Sequence, residues 1–331
     1  MAVGDLRLLT GGDLRRLVPM ADAIGIVERA YVELSAGRAT VPLRTHLEAE
    51  GGSALYMPAY LPALPALGAK VVSVFPGNPT RGLPTITAVA LIQDPRTGAP
   101  LGLIEGASLT ALRTGAASGL ATRLLAREDA HICALFGAGA QGRTQLEAVC
   151  AVREITQVRV VDRDPEKAAT FARWAGGQPW IAGATVVAAP PLLAVRGADV
   201  IITATTSSTP VVAGGDVAEG AHVNAIGAFT PQTREVDGAL VERATVVVDS
   251  RTACLAEAGD LLLAIGEGRF APERIHAEIG EIAAGVRPGR RTPSEITLFK
   301  SVGTAALDVA VGSAALARAA ARGAGQIAGI L

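Results

Sequence analysis

The segment CALFGAGAQGRTQL, residues 133–146, constrains the fold of this chain more than any other. Gly137, Gly139 and Gly142 have the spacing G-x-G-x-x-G between an apolar strand and a helix that begins near Ala140. Glycines allow a tight turn there, and they let backbone N–H groups approach a pyrophosphate at the positive end of the helix. The alternative is an ordinary glycine-rich loop, but the flanking strand and helix favour a dinucleotide-binding βα unit.

The same strand-helix alternation continues after this segment. The stretches VRVVD, PEKAATFARWA, ADVIITAT, AHVNAIG and ATVVVDS are typical of a parallel sheet covered by helices. Asp162 ends the next strand and is placed to accept the ribose hydroxyls of NAD, whereas Arg163 beside it is suited to the 2′-phosphate of NADP. The sequence leaves that choice open. Thr203 ends the strand that is predicted to be the third of this series. It is either a second contact to the nucleotide or an ordinary polar residue at the end of a strand.

The N-terminal part has a different pattern. A helix is predicted from Ala21 to Ala36, followed by short strand-like stretches separated by Gly, Pro and Asp turns, which indicates an antiparallel-type sheet. Ser108 is a candidate N-cap for a helix rich in small residues, and an Ala-rich helix from Lys300 is expected to return to this module. We therefore predict an α/β protein with a substrate and dimerisation domain (residues 1–126 with 305–331) and a Rossmann domain (residues 127–304).

The charge pattern excludes several classes of partner. The formal net charge is −1, the pI is about 6.5, and the arginines are scattered among acids, which argues against nucleic acid and membrane surfaces. No apolar run approaches the roughly 18 residues that a spanning helix needs, so we expect a cytoplasmic protein. The three cysteines have no CxxC spacing and the four histidines are dispersed, so we predict no metal site.

Three basic residues stand out as candidates for chemistry. Of the 30 Lys and Arg residues only three are lysines, and Lys70 alone is flanked by Val, Ala and Gly. It is either a catalytic amine or a charged residue on an edge strand, where it prevents another sheet from pairing. We expect Arg44 to share a strand face with Pro42 and His46. It is either a candidate for chemistry or an ordinary surface arginine. Arg113, in the small-residue helix, either forks with a ligand carboxylate or is a helix-surface charge.

Five segments occur in a fixed order, and together they carry a family resemblance: RTGAASGLATRLLAR, GAGAQGRTQ, VNAIGAFTPQTREVD, EAGDL and LFKSVGTAALD. The chain resembles the ornithine cyclodeaminase/mu-crystallin family over nearly its whole length. The resemblance implies a Rossmann domain, a substrate domain whose sheet pairs with that of a second subunit in a homodimer, and NAD(H) or NADP(H) as cofactor. It also implies hydride transfer at a carbon that bears both a nitrogen and a carboxylate.

Carried over position by position, the resemblance assigns site residues. It makes Arg44, Lys70 and Arg113 the carboxylate-binding and catalytic set, and Met57, Phe229 and Val302 the substrate pocket. Cofactor contacts are assigned to Thr85, Arg113, Gly137, Gly139, Ala140, Gln141, Asp162, Arg163, Thr203, Ile226, Gly227, Ala228 and Ser301. Ser301 is expected to lie where a Ser-Val-Gly stretch opens the last helix.

One departure from the family pattern bears on the reaction. Phe229 stands where the cyclodeaminases carry an aspartate that acts as base and handles the side-chain amine of the substrate. A phenyl ring does neither, so the sequence favours NAD(P)H-dependent reduction of a cyclic ketimine carboxylate, Δ1-pyrroline-2-carboxylate or Δ1-piperideine-2-carboxylate. The alternatives are an alanine-type amino-acid dehydrogenase, a cyclodeaminase that uses another base, and a binding protein like mu-crystallin.

Overall fold

The computed structural model describes residues 5–329, and they form two compact units. The first unit runs to Arg113 and resumes at Thr304, and the second unit is Thr114–Gly303. The sequence-based division after residue 126 falls at the end of a helix that the structure divides near its middle. The second half of that helix belongs to the second unit, where a Cβ on Gly115 would lie 2.5 Å from the carbonyl oxygen of Thr144.

Up to this helix, the chain contains mostly strands. The elements are β1 (Asp5–Leu9), α1 (Gly11–Leu17), α2 (Met20–Ser35), β2 (Thr45–Ala49), β3 (Gly52–Leu61), β4 (Ala66–Val74), β5 (Ile86–Gln93), β6 (Pro100–Glu105) and α3 (Gly106–Leu125). The helix predicted for Ala21–Ala36 is confirmed within one residue. Ser108 is not the N-cap of α3, because Glu105 accepts hydrogen bonds from the N–H groups of Ala107 (2.7 Å) and Ser108 (2.9 Å).

The second unit alternates strands with helices. Its elements are β7 (Ile132–Phe136), α4 (Ala140–Cys150), β8 (Gln157–Val161), α5 (Pro165–Gly176), β9 (Thr185–Ala188), α6 (Pro191–Val195), β10 (Val200–Thr203), β11 (His222–Ala225), α7 (Gly238–Arg243), β12 (Thr245–Val248), α8 (Arg251–Glu257), α9 (Gly259–Gly266), β13 (Ala277–Glu278), α10 (Ile279–Ala283) and β14 (Thr297–Lys300). The short strands β9, β13 and β14 escaped prediction, and because β9 precedes it Thr203 ends the fourth strand of this unit and not the third.

The chain then completes the first unit with α11 (Ala305–Arg322) and β15 (Gln326–Gly329). The prediction that this helix starts at Lys300 is wrong, because Lys300 ends a buried strand and the side chain of Thr304 caps α11. The first sheet has the order β15-β1-β6-β5-β4-β3-β2 and is antiparallel except for the pair β1–β6. α11 packs against one face of this sheet, on β3, β4 and β5.

The second sheet has eight strands in the order β13-β12-β14-β11-β10-β7-β8-β9, and every pair in it is parallel. The strand order reverses between β7 and β10, and in such sheets ligands bind at the carboxyl ends of the strands at that point. Two clusters of buried apolar side chains pack on the sheet. The predicted α/β class, with a Rossmann-type unit and an antiparallel-type unit, is confirmed. Across residues 5–329, no helix combines the length and apolar character needed to cross a membrane.

Candidate active site

Lys70 lies on β4, in the interior of the first sheet, between β3 and β5. The interpretation of Lys70 as a charged residue on an edge strand is therefore wrong, because β4 is paired on both sides. The side chain is only 1% exposed, and its face of the sheet is the one that α11 covers. The Nζ atom is 2.8 Å from Oδ2 of Asp308 and donates a hydrogen bond to Oγ1 of Thr110 at 3.1 Å.

The ammonium group of Lys70 has a lowered pKa. The pKa of Lys70 is lowered to about 8, mainly by burial; the charge of Asp308 opposes this shift, and the charges of Arg113 and Arg44 add to it. A lysine with this pKa exchanges its proton close to neutral pH, as a general acid must.

Arg113 joins the same cluster from α3. It is 5% exposed, and its Nε is 3.1 Å from Oδ1 of Asp308, so it is not a helix-surface charge. Asp308 lies in the first turn of α11 and is fully buried. Burial opposes its ionisation, but Arg113 and Lys70 hold the pKa of Asp308 below its ordinary value. The sequence analysis missed Asp308, although a single acid in the apolar stretch TAALDVAVG was a usable signal.

Arg44 is placed differently from the prediction. It precedes β2 and lies outside any strand, so the two-residue period that put it on one face with Pro42 and His46 does not apply. The side chain is half-buried and its charge acts on Lys70. Met57 is 4% exposed and stands opposite Lys70 in the β3–β4 register. Thr85 precedes β5, where its carbonyl accepts a hydrogen bond from Phe75.

The glycine loop of the second unit is shaped to hold an anion. Gly137 has φ of +105°, and a Cβ on it would lie 2.4 Å from the carbonyl oxygen of Ala204, so only glycine fits. Gly139 caps α4 without a side-chain hydrogen bond, and nothing lies within 4 Å of where its Cβ would be. Oε1 of Gln141 is buried without a hydrogen-bond partner among the described residues. Open space beside uncapped N–H groups fits a pyrophosphate.

Asp162 and Arg163 follow β8 beside this loop. Oδ2 of Asp162 accepts a hydrogen bond from the N–H of Ala138 at 2.9 Å, which ties the end of β8 to the glycine loop. Arg163 is exposed. A carboxylate ordered in this way suits a ribose diol, and the exposed guanidinium is free to turn toward a 2′-phosphate, so the structure leaves both cofactors possible.

The loops after β10 and β11 are tied together by one buried acid, Glu235, which the sequence analysis did not single out. Its carboxylate accepts hydrogen bonds from Oγ1 of Thr203 (2.9 Å), from both N–H and Oγ1 of Thr205 (2.6 and 2.7 Å), and from the N–H groups of Gly227 (2.5 Å) and Ala228 (3.3 Å). Burial raises the pKa of Glu235. Ile226 completes the link by donating its N–H to the carbonyl of Thr203.

A second buried lysine, Lys300, lies under the same loops. Its Nζ is 2.7 Å from Oδ2 of Asp260 and donates to the carbonyl oxygen of Ala228. Burial lowers the pKa of Lys300, but Asp260 and Glu235 raise it more, so that it stands above its ordinary value. Lys300 therefore keeps its proton and acts as a structural cation, in contrast to Lys70.

The remaining predicted site residues of the second unit, Ser301, Val302 and Phe229, differ in their surroundings. Ser301 donates its hydroxyl to Oδ2 of Asp249 at 2.7 Å, and the same oxygen accepts the N–H of Val302 at 3.0 Å, so Ser301 belongs to a fixed loop and not to a helix. Val302 is buried in the apolar core. Phe229, after β11, is 42% exposed, so its ring is not part of the core.

Comparisons with known proteins give close relatives over the full length. The model of the ornithine cyclodeaminase/mu-crystallin family matches residues 7–322. A Delta(1)-pyrroline-2-carboxylate reductase of Bacillus cereus is 40% identical over 322 residues, covering 96% of this chain and 98% of the relative. The solved structure of the Thermococcus litoralis Delta(1)-pyrroline-2-carboxylate reductase with NADH and L-proline has a TM-score of 0.92 at 45% identity, covering 97% of this chain and 99% of its own. An archaeal alanine dehydrogenase dimer with bound NAD has a TM-score of 0.92 at 35% identity, covering 99% and 100%.

Proposed function

The chain belongs to the ornithine cyclodeaminase/mu-crystallin family, and on that premise we propose that it reduces a cyclic ketimine carboxylate with NADH or NADPH. The substrate is Δ1-pyrroline-2-carboxylate or Δ1-piperideine-2-carboxylate, and the product is the corresponding cyclic L-amino acid. The observation that carries this proposal is the buried Lys70 ammonium, held beside Arg113 on one carboxylate. The names of the reductases with 40 and 45% identity support the substrate class.

The residues of the second unit fit a nicotinamide dinucleotide. The open, uncapped start of α4 would receive the pyrophosphate, and Asp162 would accept the ribose hydroxyls. Glu235 would hold the loops after β10 and β11 in one conformation, and the cofactor would contact these loops. When bound, the reduced cofactor supplies the hydride for the imine carbon.

In the first unit, the basic cluster would bind and protonate the substrate. Arg113, with its Nε on Asp308, would direct its terminal nitrogens to the carboxylate, assisted by the charge of Arg44. Lys70 would donate a proton to the imine nitrogen as the neighbouring carbon receives the hydride, so the C=N bond becomes an amine. The lysine, left neutral, would recover its proton from solvent.

A second candidate, an alanine-type amino-acid dehydrogenase, is favoured by the structural likeness to the archaeal alanine dehydrogenase at 35% identity. The same cluster would then bind pyruvate and protonate its acyclic imine. Ornithine cyclisation is less well supported, because Phe229 supplies neither a base nor an acceptor for a side-chain amine. A pure binding role is also less well supported, because it gives no reason to bury a lysine with a pKa of about 8.

We also propose that the chain acts as a cytoplasmic homodimer. The face of the first sheet opposite α11 exposes a row of large apolar side chains: Leu47, Tyr56, Tyr60, Val89 and Leu101, between 36 and 54% exposed. An apolar sheet face of this extent is typical of a subunit interface. The dimeric alanine dehydrogenase structure supports a second copy of the chain as the partner.

One assay panel tests the proposal. Purified protein is mixed with NADH or NADPH and, in turn, with Δ1-pyrroline-2-carboxylate, Δ1-piperideine-2-carboxylate, or pyruvate plus ammonia, and cofactor absorbance is followed. Ornithine with NAD is assayed for released ammonia. We expect the highest kcat/KM for a cyclic imine and negligible ammonia release. Turnover confined to pyruvate plus ammonia would favour the dehydrogenase, and robust conversion of ornithine to proline would exclude the reductase assignment.

A further inference from the structure

Asp308 places one buried carboxylate between the two candidate cations of the first unit. Its side chain is fully buried, its Oδ2 is 2.8 Å from Nζ of Lys70, and its Oδ1 is 3.1 Å from Nε of Arg113. Each oxygen therefore serves one cation. A single counterion shared in this way fixes the distance between the two cations as well as neutralising part of their charge.

The contacts of Asp308 leave specific hydrogen-bond donors for a ligand. An ammonium group has three donors; the Nζ atom of Lys70 donates one to Oγ1 of Thr110 and lies at ion-pair distance, 2.8 Å, from Oδ2 of Asp308. These two contacts occupy at most two donors, so at least one N–H is left for a ligand. Arg113 contacts Asp308 through Nε, which leaves the fork of its two terminal nitrogens for a carboxylate. The cluster thus offers one proton donor and one carboxylate fork in a fixed relation.

The charge of the cluster also suits the substrate. Lys70 and Arg113 carry two positive charges and Asp308 one negative charge, and Arg44 adds a further positive charge nearby, so the group as a whole is positive and attracts a carboxylate ligand. The place of Asp308 in the first turn of α11 helps to keep it ionised, since the N-terminal end of a helix favours negative charge.

We propose that Asp308 is a positioning residue for imine reduction: through one buried carboxylate it orients the Lys70 ammonium toward the imine nitrogen and the Arg113 fork toward the substrate carboxylate. This inference rests on the proposed roles of Lys70 and Arg113. Asp308 itself touches neither substrate nor cofactor in this scheme, and it acts through the two cations.

The test compares wild type with Asp308→Asn, which keeps the shape and removes the charge. The charged groups that face Lys70 are Asp308 from α11, Arg113 from α3 and Arg44 from the segment before β2, while its cross-strand neighbours Met57 and Ala90 do not titrate. Loss of the one acid should therefore move the alkaline limb of kcat by about 1–3 pH units to lower pH. We also expect kcat at pH 7 to fall at least about tenfold, with an unchanged Kd for NADH measured by fluorescence.

Two further variants separate positioning from a merely structural role. Asp308→Glu keeps the charge, so the alkaline limb of kcat should lie close to its position in wild type. Asp260→Asn removes the charge from the carboxylate that pairs with the other buried lysine, Lys300, and should lower stability without moving the limb. An alkaline limb that stays in place in Asp308→Asn, or that moves equally in Asp260→Asn, would overturn the inference.

A spectroscopic measurement on the wild-type protein decides the matter if the Asp308 variants do not fold. The chain has only three lysines, so ¹⁵N-lysine labelling gives three Nζ signals, and Lys70→Arg identifies that of Lys70. We expect a slowly exchanging Lys70 ammonium at pH 6, as for a cation held by two acceptors. Exchange as fast as that of the exposed Lys167 would refute a fixed ammonium. Absence of imine reduction by wild type would instead reject the proposed function, and the Nζ signals would still show whether the Lys70 ammonium is held in place.

Discussion

Replacing Lys70 with methionine should abolish catalysis and stabilise the protein. Methionine has nearly the same length and shape as lysine and carries no charge, and Arg113 remains to pair with Asp308. The reduction should slow by about 10²–10⁴-fold, since that is the usual contribution of a positioned proton donor. If Lys70 served only to stabilise the fold, Lys70→Met would be less stable than wild type.

The size of the stabilisation follows from the pKa of Lys70. The pKa is 10.5 for an ordinary lysine and about 8 here, so at about 1.4 kcal/mol per unit the charged amine costs the fold about 3 kcal/mol. Below pH 8 both the folded and the unfolded chains hold this proton, and the cost is fully present. Between pH 8 and 10.5 the unfolded chain holds it and the folded chain does not, so the free energy of unfolding of wild type rises with pH.

The assay is urea unfolding followed by circular dichroism at equal protein concentrations, at pH 7 and at pH 9.5. Lys70→Met should exceed wild type by up to about 3 kcal/mol at pH 7, and the gap should narrow at pH 9.5. Lys167→Met is the matched control, because that lysine is exposed, and it should change the free energy of unfolding by less than about 0.5 kcal/mol. Lower stability of Lys70→Met at pH 7, or turnover within tenfold of wild type, would refute the reasoning.

Lys70→Arg keeps the charge but loses the compact donor, so imine reduction at saturation should slow at least about 100-fold while NADH fluorescence titration stays normal; near-normal turnover would mean that the proton comes from another group. In wild type, kcat/KM should fall above about pH 8 as Lys70 loses its proton, and a profile flat to pH 10 would contradict that role. Glu235→Gln should weaken NADH binding at least about tenfold, because a buried N–H left unpaired costs about 1–3 kcal/mol; an unchanged Kd would show that the loops do not depend on this carboxylate. Light scattering should give twice the chain mass of 33.6 kDa, and a monomer at micromolar concentration would exclude the exposed sheet face as a dimer interface.

The parts of the fold that follow local rules could be read from the sequence. The glycine spacing predicted that α4 begins near Ala140, where it does begin, and alternation of apolar segments separated the parallel from the antiparallel sheet. The start of α11 was misplaced because Lys300 and Ser301 look like the first turn of an Ala-rich helix. Only tertiary partners, Asp260 for the lysine and Asp249 for the serine, hold them in a strand and a loop.

The candidate site was only partly predictable, for the same reason. Lys70 could be singled out because a lysine in an apolar strand is unusual. Its carboxylate partner is 238 residues away by numbering (70 to 308), and no local pattern links the two. Glu235 was equally hidden, because an acid between Arg and Val resembles a surface residue until the donors of two loops are seen to converge on it.

The return of the chain to the first unit sets an order for folding during synthesis. The second unit is one continuous stretch, so it can fold as soon as Gly303 is available. The first unit lacks α11 until the end, and Asp308 follows Arg113 by 195 residues. At about 5–20 residues per second, Arg113 stays for about 10–40 s, and Lys70 somewhat longer, without the carboxylate that joins them. Burying two cations together without their counterion is costly, so the basic cluster is among the last parts of the newly made chain to close.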